Sequence, residues 1–324
     1  MGWRAMLGAV LAAAVAGNAQ AQPAAEPWPT RPLVFVVTAS PGGSSDIMTR
    51  ILADRLREPL GQPVLVENRA GAGGTIGADY VAKSPPDSNR FVLASVHLAL
   101  FIATQKQLPF DPLADLTPVT DFARVPNMLI VHSAVPARSV AELVAHARAR
   151  PGEMSYATGT QGTLQHLLGT LFARQAGLSM TPVHYRGSAP AINDLLAGRV
   201  PMMFETLPSA ARLVRGGDVR GLAVTSATRS PVFADLPTMA ESGFPDATAT
   251  TWYGLLGPKG LPPAAAERLR DAVVVALRSP QVTEAWAQDG ASGGGMSVPE
   301  FRSFWGDEIN RWRRAVSEAG LTLD

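Results

Sequence analysis

Cysteine is missing from all 324 residues. That excludes a disulfide framework and every thiolate metal site, so core burial alone must hold the fold. Charge of one sign is missing as well: 28 Lys and Arg against 27 Asp and Glu leave a net +1. A chain with no basic stripe has nothing to track a phosphate backbone, which excludes nucleic acid as a partner. The five histidines, His97, His132, His146, His166 and His184, are dispersed, and no clustered ligand set for a metal can be assembled from them. Neither H-E-x-x-H nor a Walker A lysine motif occurs. Gly71-Ala72-Gly73-Gly74-Thr75-Ile76-Gly77 comes close to a dinucleotide fingerprint, but its third glycine would have to stand at Ile76. No cofactor is expected.

Long apolar runs are confined to the N-terminus. Met1-Gly2-Trp3-Arg4, an apolar stretch from Ala5 to Gly17 and Ala19-Gln20-Ala21 predict a secretory signal peptide at residues 1–21, cleaved after Ala21. The stretch is too short to span a bilayer, and no later segment is apolar enough. The expected location is the periplasm. The chain beyond Ala21 is long enough for two domains with sizeable cores.

This mature part is organised around one stretch. Val34-Phe35-Val36-Val37 predicts a buried strand, Pro41-Gly42-Gly43 breaks it, and Ile47, Ile51, Leu52 and Leu56 predict a helix. Ser44 or Ser45 can cap that helix, and Asp46 suits its first turn. The same grammar returns as strand Val64 to Asn68, turn Gly71-Ala72-Gly73-Gly74-Thr75 and helix start Ile76 to Ala82. Parallel strands bring both turns to the carboxyl edge of one sheet, where free N–H groups favour an anion. Thr38, Gly42, Gly43, Ser44, Ser45, Asp46, Gly71, Ala72, Gly73, Gly74 and Thr75 are therefore candidate contacts for a ligand carboxylate.

Phe91 to Ser95 predicts a third strand ending in Val96-His97, which brings Ser95 and His97 to the same edge. Asn127 to His132 predicts a fourth strand, with a helix from Ser139 after it. The grammar then restarts with strand Met154 to Thr158, turn Gly159-Thr160-Gln161-Gly162 and a helix from Thr163. Strand Thr181 to Tyr185, turn Arg186-Gly187 and helix Ser188 to Leu196 come next, then strands Val200 to Phe204, Leu222 to Thr225 and Thr251 to Gly257. Thr158, Gly159, Thr160, Gly162, Thr163, His166, Tyr185 and Glu205 are the second half's candidates for reading the rest of a ligand. A carboxylate at Glu205 suits an anionic ligand only if that ligand also carries an amine or hydroxyl. In the last helix Ser297-x-x-Glu300 is a capping box, and Phe301, Trp305, Ile309, Trp312 and Val316 form a core stripe. Arg311, Arg313 and Arg314, on a helix that also carries Glu308 and Glu318, read as a solvated face.

The expected fold is α/β: two lobes, each a doubly wound sheet, with a ligand cleft between them. Residues 22–127 and 253–324 form lobe 1 and 128–252 lobe 2, the chain crossing near Asn127 to Val131 and near Trp252 to Leu256. Such clefts commonly close on ligands by hinge motion.

Pro41-Gly42-Gly43-Ser44-Ser45-Asp46, Gly61 through Glu67-Asn68-Arg69-Ala70-Gly71 to Gly74, and Leu108-Pro109-Phe110-Asp111-Pro112 carry a family resemblance. So do Thr163-Leu164-Gln165-His166-Leu167, Tyr185-Arg186-Gly187-Ser188-Ala189-Pro190-Ala191, Leu222-Ala223-Val224-Thr225-Ser226 and Trp252-Tyr253-Gly254-Leu255-Leu256-Gly257-Pro258. With these motifs the chain resembles the Bug-type solute-binding receptors of tripartite tricarboxylate transporters. The resemblance implies a periplasmic-binding fold of the crossed-strand type, no catalysis, and a ligand carboxylate held by the Pro41 to Asp46 and Gly71 to Thr75 loops, partly through water. It also implies membrane permease subunits as partners. The family usually has proline where Thr38 stands, often Asn-Pro where Phe101-Ile102 stands, and Asp in place of Glu205. A small carboxylate is thus the expected ligand: a dicarboxylate, an amino acid or an aromatic acid, bound by a monomer. The alternatives are an exported sensor docking on a signalling protein, and a hydrolase or isomerase using His97 or His166 with Glu205.

Overall fold

The computed structural model describes residues 28–318 apart from 43, 88, 106, 160, 161 and 186. The signal peptide expected at 1–21 lies outside the described residues. Strand β1 (Leu33–Val37) is a β-branched and aromatic run buried on both faces, as a strand inside a parallel sheet must be. It leads into α1 (Ser44–Leu60), β2 (Val64–Asn68), a 3-10 turn at Ala72–Gly74, α2 (Thr75–Ala82), β3 (Arg90–Ser95) and α3 (Val96–Thr104). β1 lies between β2 and β3, parallel to both, so three strands release their chain at one edge. Val96 and His97 do not close the third strand as expected. The Ser95 hydroxyl accepts from the Leu98 N–H at 3.3 Å and caps α3, which places His97 in that helix's first turn.

β4 (Leu116–His132) is followed by α4 (Val140–Arg148), β5 (Ser155–Thr158), α5 (Leu164–Ala176), β6 (Thr181–His184), α6 (Ser188–Leu196), β7 (Met202–Thr206), α7 (Leu207–Gly216) and β8 (Val219–Val224). The chain then returns through β9 (Thr250–Pro258) to α8 (Pro263–Leu277), α9 (Pro280–Gln288), β10 (Ser292–Gly293) and α10 (Val298–Glu318). The strands run in the order β2-β1-β3-β9-β4-β7-β5-β6, with β8 and β10 also on β4. β4 is the spine. Up to Pro126 it pairs antiparallel with β9, and from Asn127 onward with β7 and β8. The chain thus leaves the first lobe between Pro126 and Asn127, and Thr250, opposite Pro126, begins the strand that brings it back. Trp252 to Leu256 pair wholly inside the first lobe's sheet.

Buried polar groups tie the two crossings together. The Asn127 N–H donates to Thr225 Oγ1 at 3.0 Å, Thr225 Oγ1 donates to the Ala249 carbonyl at 2.6 Å, and Asn127 Nδ2 reaches Thr251 Oγ1 at 3.3 Å. α10 braces this junction. Its capping box forms, with the Ser297 N–H donating to Glu300 Oε2 at 2.8 Å and the Glu300 N–H to Ser297 Oγ at 3.4 Å. Phe301, Trp305, Ile309, Trp312 and Val316 are buried in the core as expected. Glu308 is buried, accepts Nε1–H of Trp252 at 2.7 Å and of Trp312 at 3.1 Å, and pairs with Arg311. Large amphipathic rings need a partner for their N–H when buried, and a carboxylate on the core side of α10 serves two of them at once.

Candidate functional site

Two connected cavities lie between the lobes. The inner one, about 330 Å³, is lined by Thr38, Ser44, Ser45, Gly71, Gly73, Gly74, Ser95, His97, Thr206 and Tyr253, with Ala39 and Leu93. The outer one, about 980 Å³, shares Ala39, Ser44 and Thr206 with it and continues to Ser188, Glu205, Arg212, Arg215 and Asp289.

Helix starts dominate the inner wall. Ser44 opens α1, Gly74 stands at the N-cap of α2, Ser95 at that of α3 and Thr206 at that of α7. Gly187 and Ser188, at the start of α6, line the outer cavity. Each helix brings the N–H groups of its first turn and the positive end of its dipole, while the inner lining holds no Asp, Glu, Lys or Arg side chain among the described residues. The combination favours an anion without a fixed ionic partner.

The second turn is shaped by backbone that only glycine adopts freely. Gly71, Gly73 and Gly74 have φ of 129°, 62° and 99°, and Ala72 between them stands at 45°, a left-handed value that an alanine adopts at a cost. A Cβ on Gly73 would fall 2.0 Å from the Phe101 ring, and one on Gly74 would fall 3.0 Å from Thr38 Cβ. Thr75 Oγ1 closes the turn onto the Ala72 carbonyl at 2.8 Å. Ala72 and Thr75 therefore shape the turn and do not line the cavity.

Asp46 moves from ligand contact to buttress. It is buried, accepts from the Gly42 N–H at 2.9 Å, Asn68 Nδ2 at 2.9 Å and Arg50 Nε at 3.0 Å, and lines neither cavity. Burial pushes its carboxyl up, but Arg50, the Gly42 N–H and Asn68 together hold it below the usual range.

The described residues of the second lobe's expected loop hydrogen-bond among their own neighbours. Thr158 Oγ1 lies 3.2 Å from Thr163 Oγ1, the Gly162 N–H donates to His166 Nδ1 at 3.3 Å, and His184 Nδ1 sits 3.2 Å from the Gly159 carbonyl. Short hydroxyls that cap their own helix are already satisfied, so Thr158, Gly159, Gly162, Thr163 and His166 line neither cavity. Tyr185 donates its phenol to Asp194 at 2.8 Å and also stays outside. Gly43 and Thr160 lie outside the described residues. Gly42 and Glu205 line the outer cavity, and His97 reaches the other lobe, its Nε2 3.5 Å from Gln165 Oε1. Thr206, Tyr253 and Ser188 were not foreseen as site residues. Thr206 carries a legible signal, a polar residue at the end of an apolar strand, whereas Tyr253 lies inside β9. Gly290, Ser292 and Gly294 have the spacing of a nucleophile elbow, but Ser292 pairs with Arg124 in β10 and does not sit on a strand-to-helix turn.

Burial depresses the pKa of His166 from 6.5 to about 4, helped by His184, whose ring lies 4.9 Å away. A base with a depressed folded pKa contributes stability above its unfolded value of 6.5 that is lost as pH falls through this window toward 4. Urea midpoints at pH 7.5 and 4.5 are therefore expected to fall further in the wild type than in His166→Gln. Equal falls would show that the fold does not lower the His166 pKa.

A two-lobed α/β fold with an anion-friendly cleft on the crossing strands defines the periplasmic binding proteins. Within that class, the model of the tripartite tricarboxylate transporter family receptor, TctC, matches residues 48–321, and the chain belongs to this family of periplasmic receptors. It is 40% identical over 301 residues to the protein BugT of Bordetella pertussis (strain Tohama I), covering 92% of each chain. Among solved structures, an R. palustris protein determined with adipate is 37% identical with a TM-score of 0.82, covering 91% of this chain and 99% of that one. MatC from Rhodopseudomonas palustris with bound malate is 27% identical with a TM-score of 0.78, covering 89% of this chain and 99% of that one.

Proposed function

We propose that this chain is an exported receptor, freed from its signal peptide after Ala21. It captures a small carboxylate between its lobes and hands it, unreacted, to the membrane permease of a tripartite transporter. One carboxylate would rest on the first-lobe turns in the inner cavity, and the remainder of the ligand would occupy the outer one. The observation that carries this reading is the convergence of four helix N-termini on a compartment whose described lining carries no Asp, Glu, Lys or Arg side chain. The adipate and malate bound to two relatives support it.

A thermal-shift screen against dicarboxylates, amino acids and aromatic acids tests it. Ligand at a hundred times its Kd adds about 2.7 kcal/mol, enough to raise the Tm by several degrees. The expected result is a shift with at least one acid that is recovered unchanged afterwards. An acid consumed on incubation would point to an enzyme, and a flat panel would count against a carboxylate receptor.

A further inference from the structure

Glu205 is the anomaly of the cleft. It stands one residue before the end of β7, is 2% exposed, and lines the outer cavity beside Thr206, the residue that borders both cavities. Its Oε1 accepts from Thr206 Oγ1 at 2.8 Å, whereas Oε2 is buried without a hydrogen-bond partner among the described residues. No cation pairs with it there. Burial pushes its carboxyl above the usual range, with the nearby Thr206 and Ser188 hydroxyls pulling it back. Its own burial, and after that the charge of Glu205, raises the Tyr253 phenol. A buried carboxyl oxygen without a donor is costly and calls for an explanation.

We propose that Glu205 selects, among small carboxylates, those that carry a hydrogen-bond donor on the carbon chain, either a hydroxyl or an ammonium group. The inference rests on the receptor reading above and adds the ligand's second recognition element. The helix starts of the inner cavity take the carboxylate, and the donor reaches Glu205 Oε2 across the Thr206 border. A ligand without the donor would leave Oε2 unpaired in the closed cleft, and sites built to meet a polar group discriminate strongly against analogues that lack it.

Calorimetric titration of the exported chain with length-matched acids tests the proposal. The sets are succinate, malate and aspartate; glutarate, 2-hydroxyglutarate and glutamate; and phenylacetate, mandelate and phenylglycine. In whichever set binds, the hydroxy or amino member is expected to bind at least about tenfold tighter than its parent acid. Glu205→Gln, checked for folding by its urea midpoint, separates the two sources. It should cut the preference for an ammonium ligand sharply, because the counter-charge is gone, and that for a hydroxyl ligand less, because an acceptor oxygen remains. A parent acid that binds as tightly as its substituted partners would overturn the proposal. So would a parent diacid whose affinity rises as the pH falls toward 5, because Glu205 would then be protonated and donating. Binding by no acid in any set would instead refute the carboxylate-receptor reading, and this inference with it.

Discussion

Replacing Asp46 by alanine is expected to weaken carboxylate binding by roughly ten- to a hundredfold and to cost about 2 kcal/mol of stability, although the side chain lines neither cavity. Asp46 joins three segments that sequence separates. It holds the Gly42 N–H of the first turn, Asn68 at the end of β2, and Arg50 one helical turn along α1. Asn68 also donates to the Ala39 carbonyl at 3.1 Å, so the backbone from Ala39 to Gly42 is fixed from both ends. Hydrogen bonds to a charged acceptor contribute about 1.5 to 3 kcal/mol each, less where the donor is exposed as Arg50 is. Without them the first turn would have to be ordered at the moment of binding, and that cost appears in the affinity. Asp46→Asn keeps an acceptor oxygen and is expected to recover part of both losses. Calorimetry and urea melts on the two variants distinguish the roles: a stability loss with unchanged affinity would mean that the turn does not hold the ligand.

The parts of this molecule that were legible in its sequence are those whose residues obey one local rule. Val34 to Val37 is apolar on both faces, Ser297 and Glu300 stand at capping-box spacing, and the α10 stripe repeats at helical period, so strand, cap and core could each be read directly. The first half of β4 could not. Pro118 and Pro126 lack the N–H that a central strand uses, and the register shifts beside Pro118 and again after Asp121 show how the strand accommodates the break. Only the pairing with β9, more than a hundred positions away in sequence, makes Leu116 to Pro126 a strand.

The site divides the same way. Gly71, Gly73, Gly74, Ser44 and Ser45 were foreseen because a strand, a glycine turn and a helix start predict free N–H groups wherever they occur. Asp46, Thr158, Gly159, Gly162, Thr163 and His166 were expected at the site but line neither cavity, because sequence shows which groups can hydrogen-bond and not which are already satisfied. Asp46 is consumed by Gly42 and Asn68, and Thr163 by its own helix and Thr158. Thr206 and Tyr253 escaped because their importance comes from two lobes meeting. One ends a strand of the second lobe, the other sits inside β9 of the first, and both border the inner cavity.

The most direct test of the central claim, that the inner cavity is the seat of a carboxylate, places one there covalently. Ser95 is 5% exposed, lines that cavity and caps α3. Aspartate caps a helix as well as serine does, and its charge suits the helix N-terminus, so Ser95→Asp should keep the wild-type urea midpoint or raise it slightly. A ligand carboxylate about 4 Å from the new one would meet a repulsion of about 4 kcal/mol at the effective dielectric near a protein surface, roughly a thousandfold in Kd. The measurement is a calorimetric titration of wild type and Ser95→Asp with the acid that gives the largest thermal shift. The account predicts a folded variant that no longer binds it. A folded variant with wild-type affinity would place the carboxylate elsewhere and contradict the account.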